Sequence, residues 1–186
     1  AAPVLLAFNA VNNLFGVGSS SMMSRAMGCK DFDTVKKSSA FGFYGALFFG
    51  FLFAIVCTVF RPALLTLLGA DSVTAATTTS YLDWTVTLGA VPAILNVVMA
   101  YMIRSEGSSL NASIGTMGGC VVNMILDPIC ILPWGLDMGA AGAGMATCFA
   151  NCCALIYFFG YMIVKRGKTS VCISPRAFSQ IGRAHV

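Results

Sequence analysis

The sequence predicts an all-α, multi-pass transmembrane helix bundle of about five spans, and three observations predict it. The 186 residues are 58% hydrophobic and only 10% charged, whereas soluble domains are about 25% charged. The mean hydropathy is +0.83, too high for a chain of this length to cover a water-facing surface. The charges are also clumped, at 25–37, 61–71, 104–106 and 165–176, with few between. The intervals between the clumps are long enough to cross a bilayer core of ~30 Å, which takes ~20 helical residues.

Five apolar stretches follow, Ala1–Met23, Ser39–Phe60, Ser80–Ile103, Ala112–Leu132 and Gly139–Val164. Their orientation comes from the cations in the short loops. Arg25, Lys30, Lys36 and Lys37 lie after the first stretch, Arg104 after the third, and Lys165, Arg166, Lys168 and Arg176 after the fifth. Arg61 alone lies on the other side. The cation-rich side is the cytosol, so the first stretch runs inward and the tail after the fifth is cytosolic. Arg61-Pro62 is expected to end the second span, because proline lacks an N–H and disfavours helix before it. Gly135 and Gly139 are expected to flank an outer turn. Gly42, Ala46 and Gly50 form a four-residue ridge of small side chains that lets membrane helices approach closely, and Gly115, Gly118 and Gly119 are read likewise.

Both ends are expected to be cuts. The chain starts at Ala1 in apolar sequence with no signal-peptide n-region. Residues 181–186, Ile-Gly-Arg-Ala-His-Val, match one frame of a common sequencing adapter (ATC GGA AGA GCA CAC GTC) and are read as read-through. That sets aside the single histidine, His185, and removes Arg183 from the net charge of +4. The segment Thr169–Gln180, polar and basic with Pro175, is read as the start of a cytosolic linker. The eight cysteines contain no CxxC pair, so they read as soft packing residues rather than zinc ligands.

The stretch that carries chemistry is Asn123-Met124-Ile125-Leu126-Asp127-Pro128. An ionisable residue inside a span is costly and marks function by default. Asn123 and Asp127 are one turn apart and share a helix face. Pro128 cannot donate to the carbonyl of Met124. Carboxylate, amide and freed carbonyl oxygens within one turn suit a hard cation such as Na⁺, and a poorly solvated carboxylate could carry a proton instead. Asp127 lies ~8 Å from the outer end of its span and Thr147 ~12 Å into the next, at 1.5 Å per residue. Thr147 can therefore add a hydroxyl, and Asn151 shares its face.

Weaker signals are Asn9, Asn12 and Asn13 in the first stretch, with Asn9 and Asn13 on one face, and Asn96 one turn after Pro92, where a kink would let the helix line a cavity. Hydrogen bonding between helices explains these asparagines as well as substrate contact does. Asp83 is expected simply to reach water, and Arg104-Ser105-Glu106 to be a solvated loop. Gly16-Val17-Gly18-Ser19-Ser20 lacks the ending of a phosphate loop, which excludes a nucleotide site. Asn111-Ala112-Ser113 matches a glycosylation acceptor on the wrong side of the membrane.

In order and spacing, several motifs together resemble the multidrug and toxic compound extrusion (MATE) family. They are Ser24-Arg25-Ala26-Met27-Gly28, Arg61-Pro62 with Leu67-Leu68-Gly69-Ala70, and Arg104-Ser105-Glu106-Gly107. They continue with Asn123 and Leu126-Asp127-Pro128, then Gly135-Leu136 with Gly139-Ala140-Ala141-Gly142-Ala143 and Ala146-Thr147. The resemblance covers most of 1–176. It implies twelve helices in two lobes, with helices two to six of the first lobe in residues 1–168 and the inter-lobe linker starting at 169–180. It implies Na⁺ or H⁺ exchanged for drugs or organic metabolites by alternating access, no organic cofactor, and a bacterial or archaeal cell membrane. The partners implied are a small-molecule substrate, membrane lipid and the second lobe, not nucleic acid. The family's cation site maps onto Asn123, Asp127 and Thr147, and a tyrosine of that site onto Tyr81. Tyr81, Asn96 and Asn151 are the candidate substrate contacts. Pro133-Trp134 departs from the usual pattern as an insertion, and the family's acidic residue on the first helix would fall before Ala1.

The expected function is a cation-coupled antiporter. A lipid-linked oligosaccharide flippase is the alternative, disfavoured because the spans carry almost no Lys or Arg to line a cavity. A membrane-embedded enzyme is less expected still. With His185 set aside, the sequence offers one intramembrane acid and no base or activated nucleophile.

Overall fold

A computed structural model of the chain describes residues 2–67, 78–132, 138–165, 169 and 171. Helix α1 (Ala2–Asn12) passes through a π-helical segment (Asn13–Val17) directly into α2 (Gly18–Gly28). Then come α3 (Phe32–Val59), α4 (Arg61–Leu67), α5 (Thr78–Leu88) and α6 (Ala90–Ser105). Helices α7 (Ser109–Ile131) and α8 (Gly139–Val164) complete the described bundle. Among the described residues α3, α7 and α8 are each long and apolar enough to cross a membrane, and α5 with α6 makes a fourth, bent candidate. The expected inserted Pro133-Trp134, Gly135, most of the linker and 181–186 lie outside the described residues.

The bounds differ from the hydropathy reading where polar residues extend a helix into water. Helix α3 begins at Phe32 rather than Ser39 because Asp31 caps it. Its carboxylate accepts from the Thr34 amide at 3.1 Å and from the Thr34 hydroxyl, which satisfies free N–H groups of the first turn. Those two bonds, the hydroxyl first, hold the Asp31 carboxyl below its ordinary value. Pro62 does more than end α3, which stops at Val59. It also sits in the first turn of α4, where its missing N–H costs nothing.

Two turns at one end of the bundle close with the same backbone device. After α2, the Asp31 N–H reaches the Ala26 carbonyl at 2.9 Å and the Lys30 N–H reaches Met27 at 3.0 Å, with Lys30 at φ 58°. After α6, Ser108 N–H reaches Ile103 at 3.2 Å and Gly107 N–H reaches Arg104 at 3.1 Å, with Gly107 at φ 86°. Both are Schellman closures, which need a left-handed residue that glycine adopts without strain.

The span made of α5 and α6 is bent by 49°. Two causes coincide there. Pro92 cannot donate to the carbonyl four residues back, at Leu88, and the last six residues of α5, Asp83–Leu88, are π-helical. At Gly89 a Cβ would stand 2.7 Å from the Trp84 carbonyl oxygen, so only glycine fits the corner.

Helix α6 is the centre of the bundle. Ile94, Val98, Met99, Met102 and Ile103 are fully buried. The ridge on α3 faces it. Gly42, Ala46 and Gly50 are buried, and a Cβ on Gly42 would meet Ser19 of α2 at 2.6 Å and Met102 of α6 at 2.7 Å. Outward faces carry Phe48, Phe51, Ile55, Met117, Val121 and Ile125, all exposed, as lipid-facing surfaces do. Gly115 and Gly119 pack on Phe158 and Ala154 of α8, as the small-residue reading expects. Gly118 does not, since a Cβ there meets nothing within 4 Å. It lies a full residue away from the contact stripe of a 3.6-residue helix.

Lys30→Gly should raise thermal stability, and Gly107→Ala should lower it by about 1 kcal/mol, because both act on a left-handed position. Nothing else crowds Gly107. Thermal unfolding in one detergent checks both, and equal or reversed shifts would refute the reading.

Candidate functional site

Helix α7 presents Asn123 and Asp127 one turn apart and keeps Pro128 inside its last turns. Helix α8 runs antiparallel beside it and presents Thr147 and Asn151. What brings the two helices together is the absence of side chains between them. A Cβ at Gly142 would lie 2.4 Å from the Cys130 carbonyl oxygen, and one at Gly119 3.1 Å from Ala154. The Met138 N–H donates to the same Cys130 carbonyl at 3.1 Å and closes the turn between the helices.

In this gap the Asn123 amide bridges the other two residues. Its Nδ2 lies 3.4 Å from Asp127 Oδ1 and 3.4 Å from Thr147 Oγ1. With the amide turned over, Nδ2 donates to Asp127 Oδ2 at 3.2 Å and Oδ1 accepts from the Thr147 backbone N–H at 3.3 Å. The second orientation gives both ends of the amide a proper partner and is the one we adopt. The Thr147 hydroxyl donates to the Ala143 carbonyl at 2.9 Å, which leaves its lone pairs turned toward the gap. Asp127 and Asn123 are half-buried and Thr147 is exposed, so the set opens to one side.

The polar contacts continue across α8 to α6. Asn151 Nδ2 donates to the Thr147 carbonyl at 3.0 Å, and Asn96 Nδ2 donates to Asn151 Oδ1 at 2.9 Å. Asn96 is 9% exposed, and its Oδ1 is buried without a hydrogen-bond partner among the described residues. Such an acceptor costs roughly 1–3 kcal/mol unless something donates to it. The chain of contacts therefore runs Asp127, Asn123, Thr147, Asn151, Asn96, over three helices.

Tyr81 does not join it through its hydroxyl. It lies on α5, 38% exposed, and touches α8 through its backbone: its carbonyl lies 3.1 Å from where a Cβ of Gly144 would be. Asn9 and Asn13 are exposed, and Asn12, not that pair, is the buried asparagine of the first stretch, at 5%.

Two expectations are corrected. Asp83 does not simply reach water but pairs with Arg61, and Thr87 on the same helix shares a hydrogen bond with Thr58 of α3 at 3.2 Å. Together these fasten the outer half of the bent span. Glu106 is not a solvated loop residue, since it accepts from Thr169 and Val171 beyond α8. Neither could be read from sequence, because each partner is more than 20 residues away. Gly142 and Gly144, by contrast, flank Ala143 in a run of small residues, a local signal that could have found them.

Among the described residues no three His, Cys, Asp or Glu side chains cluster, and the described cysteines are free thiols. The donor set at Asp127 is one carboxylate with neutral oxygens, which matches a monovalent hard cation or a proton and not a soft metal. An apolar groove of about 550 Å³ between the first span and α3, lined by Phe15, Phe41, Tyr44 and Phe48, is built from other residues.

The MatE family model matches residues 2–129. The chain is similar to the multidrug export protein MepA of Staphylococcus aureus (strain MSSA476), with 33% identity over 169 residues, 91% of the chain and 37% of the relative. It therefore spans little more than a third of that relative's length. Among solved structures it is similar to a multidrug resistance MATE family transporter of the MOP superfamily in its inward-facing conformation, with a TM-score of 0.85 and 27% identity. That match covers 95% of the chain and 39% of the structure. The outward-facing conformation of such a transporter matches at 0.84 and 27%, over 95% of the chain and 38% of the structure.

Gly142→Ala should lower stability by roughly 1–3 kcal/mol, because a backbone carbonyl cannot yield to the added methyl. Gly118→Ala should leave stability unchanged or raise it by up to about 1 kcal/mol. Thermal unfolding of the two variants side by side checks the contrast, and a Gly142→Ala variant as stable as the parent would refute the close approach.

Proposed function

The chain belongs to the MatE family, a family of transporters and not of enzymes, and on that premise we propose that it forms part of the first lobe of a cation-coupled exporter of small organic molecules. The remaining length of its relatives would supply a second lobe, and the whole protein would act in a bacterial cell membrane. Family membership favours extrusion over the flipping of lipid-linked oligosaccharides.

The observation that carries the reading is the Asn123 amide lying between Asp127 and Thr147. Contacts of 3.2 and 3.3 Å lie at and just beyond the long end of the 2.7–3.2 Å of well-made hydrogen bonds, so the three groups have room to close on a guest. A Na⁺ ion would take the carboxylate, the threonine hydroxyl and the amide oxygen, with the carbonyl of Met124 left free by Pro128. A proton would instead neutralise Asp127, whose carbonyl oxygen would still accept from the Asn123 Nδ2. Either guest removes a charge from an apolar gap and draws α7 toward α8. The shift available is limited to the guest's differential affinity for the two arrangements.

Asn96, Asn151 and Tyr81 are proposed as substrate contacts. The unpartnered Oδ1 of Asn96 would accept from an N–H or O–H of the substrate, and the bonded row from Asn96 to Thr147 would let the two sites sense each other. Such coupling is reciprocal: if the cation weakens substrate binding, the substrate weakens cation binding by the same factor.

The test is efflux driven by an imposed Na⁺ or H⁺ gradient in vesicles holding the full-length protein. Asp127→Asn should cut coupled efflux about tenfold or more, the loss of a charged partner worth ~1.4 kcal/mol or above. Asn123→Ala should weaken it in the same direction. Coupled efflux that survives Asp127→Asn unchanged would overturn the assignment.

A further inference from the structure

At the end of the bundle remote from Asp127, α6 stops, α7 starts and α8 leaves. Glu106 sits in the turn between α6 and α7. Its Oε2 accepts from the Thr169 hydroxyl at 2.6 Å, and its Oε1 accepts from the Val171 backbone N–H at 3.3 Å. Both carboxylate oxygens are thus engaged by the segment that follows α8, more than 60 residues away in sequence. The segment is aimed there by the backbone, since the Thr169 N–H donates to the Lys165 carbonyl at 3.1 Å. Val171 is 5% exposed and belongs to the same buried cluster as Met102, Ile103 and Ala112. The last turns of α8 are tied to the same place, with the Tyr161 hydroxyl donating to Ser108 Oγ at 2.9 Å.

We propose that Glu106 is the receptor for a strap formed by Thr169 and Val171, which clips the exit from α8 onto the turn between α6 and α7. The loop cations place this end in the cytosol. A carboxylate that receives a hydroxyl and a backbone amide makes charge-assisted bonds, stronger than neutral ones, and the buried valine adds an apolar anchor beside them. The clip joins the helices that carry Asn96, Asp127 and Thr147 at their far ends, so they move as one body there. Gly107 supports it by turning the chain so that Glu106 faces the strap.

Hydrogen exchange followed by mass spectrometry on the full-length protein tests it. The amides of Thr169 and Val171 should exchange slowly. Thr169→Val and Glu106→Gln should each speed that exchange about tenfold or more, as expected for a lost hydrogen bond to a charged group. The double variant should be no faster than the quicker single, because both break one contact. Thr169→Ser, which keeps the hydroxyl, should retain protection, and peptides within α7 should not change. Exchange at the unstructured rate in the parent, or unchanged protection in Thr169→Val, would overturn the strap. If Glu106→Gln does not fold, Thr169→Val and Thr169→Ser decide alone.

Discussion

Everything at the site depends on two helix backbones meeting without side chains between them. Helix α8 lies against α7 because Gly115, Gly119 and Gly142 leave room for Phe158, Ala154 and the Cys130 carbonyl. In a membrane, apolar faces gain nothing by leaving lipid for one another, so close packing and interhelical hydrogen bonds must hold helices together. The contact at Gly142 is the strictest, since it is made with backbone. It sets the spacing that allows one asparagine amide to span from Asp127 to Thr147.

That spacing explains why the polar row is tolerable. Each member is bonded to a neighbour, so burial strands few polar atoms. Asn96 is the exception, with a buried oxygen left over. In a bundle otherwise closed by packing, an unpaired acceptor at the end of a bonded row is where an incoming group gains most.

The far ends of the helices are governed differently. There the turns are Schellman closures, and a carboxylate on the turn after α6 receives the segment leaving α8. The bent span is held in two pieces. Its inner half, α6, is the buried centre of the bundle, while its outer half is fastened to α4 through Arg61–Asp83, to α3 through Thr58–Thr87 and to α8 through Gly144. The partly exposed Arg61–Asp83 pair contributes at most ~1 kcal/mol.

What the sequence by itself determined was whatever depends on local pattern. Hydropathy gave the apolar segments and the limits of α8, but not α4, because apolar length and flanking charges act within one segment. The one-turn spacing of Asn123 and Asp127 gave their shared face, since helical geometry requires it, and the motif series from Ser24 to Thr147 gave the family. Tertiary structure decided whatever depends on rotation and distance between segments. It put Gly118 outside the packed stripe, turned Asn12 inward in place of Asn9 and Asn13, paired Asp83 with Arg61, and brought Glu106 to Thr169. The reason is physical: hydropathy records how apolar a helix is but hardly which neighbour each face meets. A π-helical turn or a 49° bend rotates those faces without leaving a mark in composition.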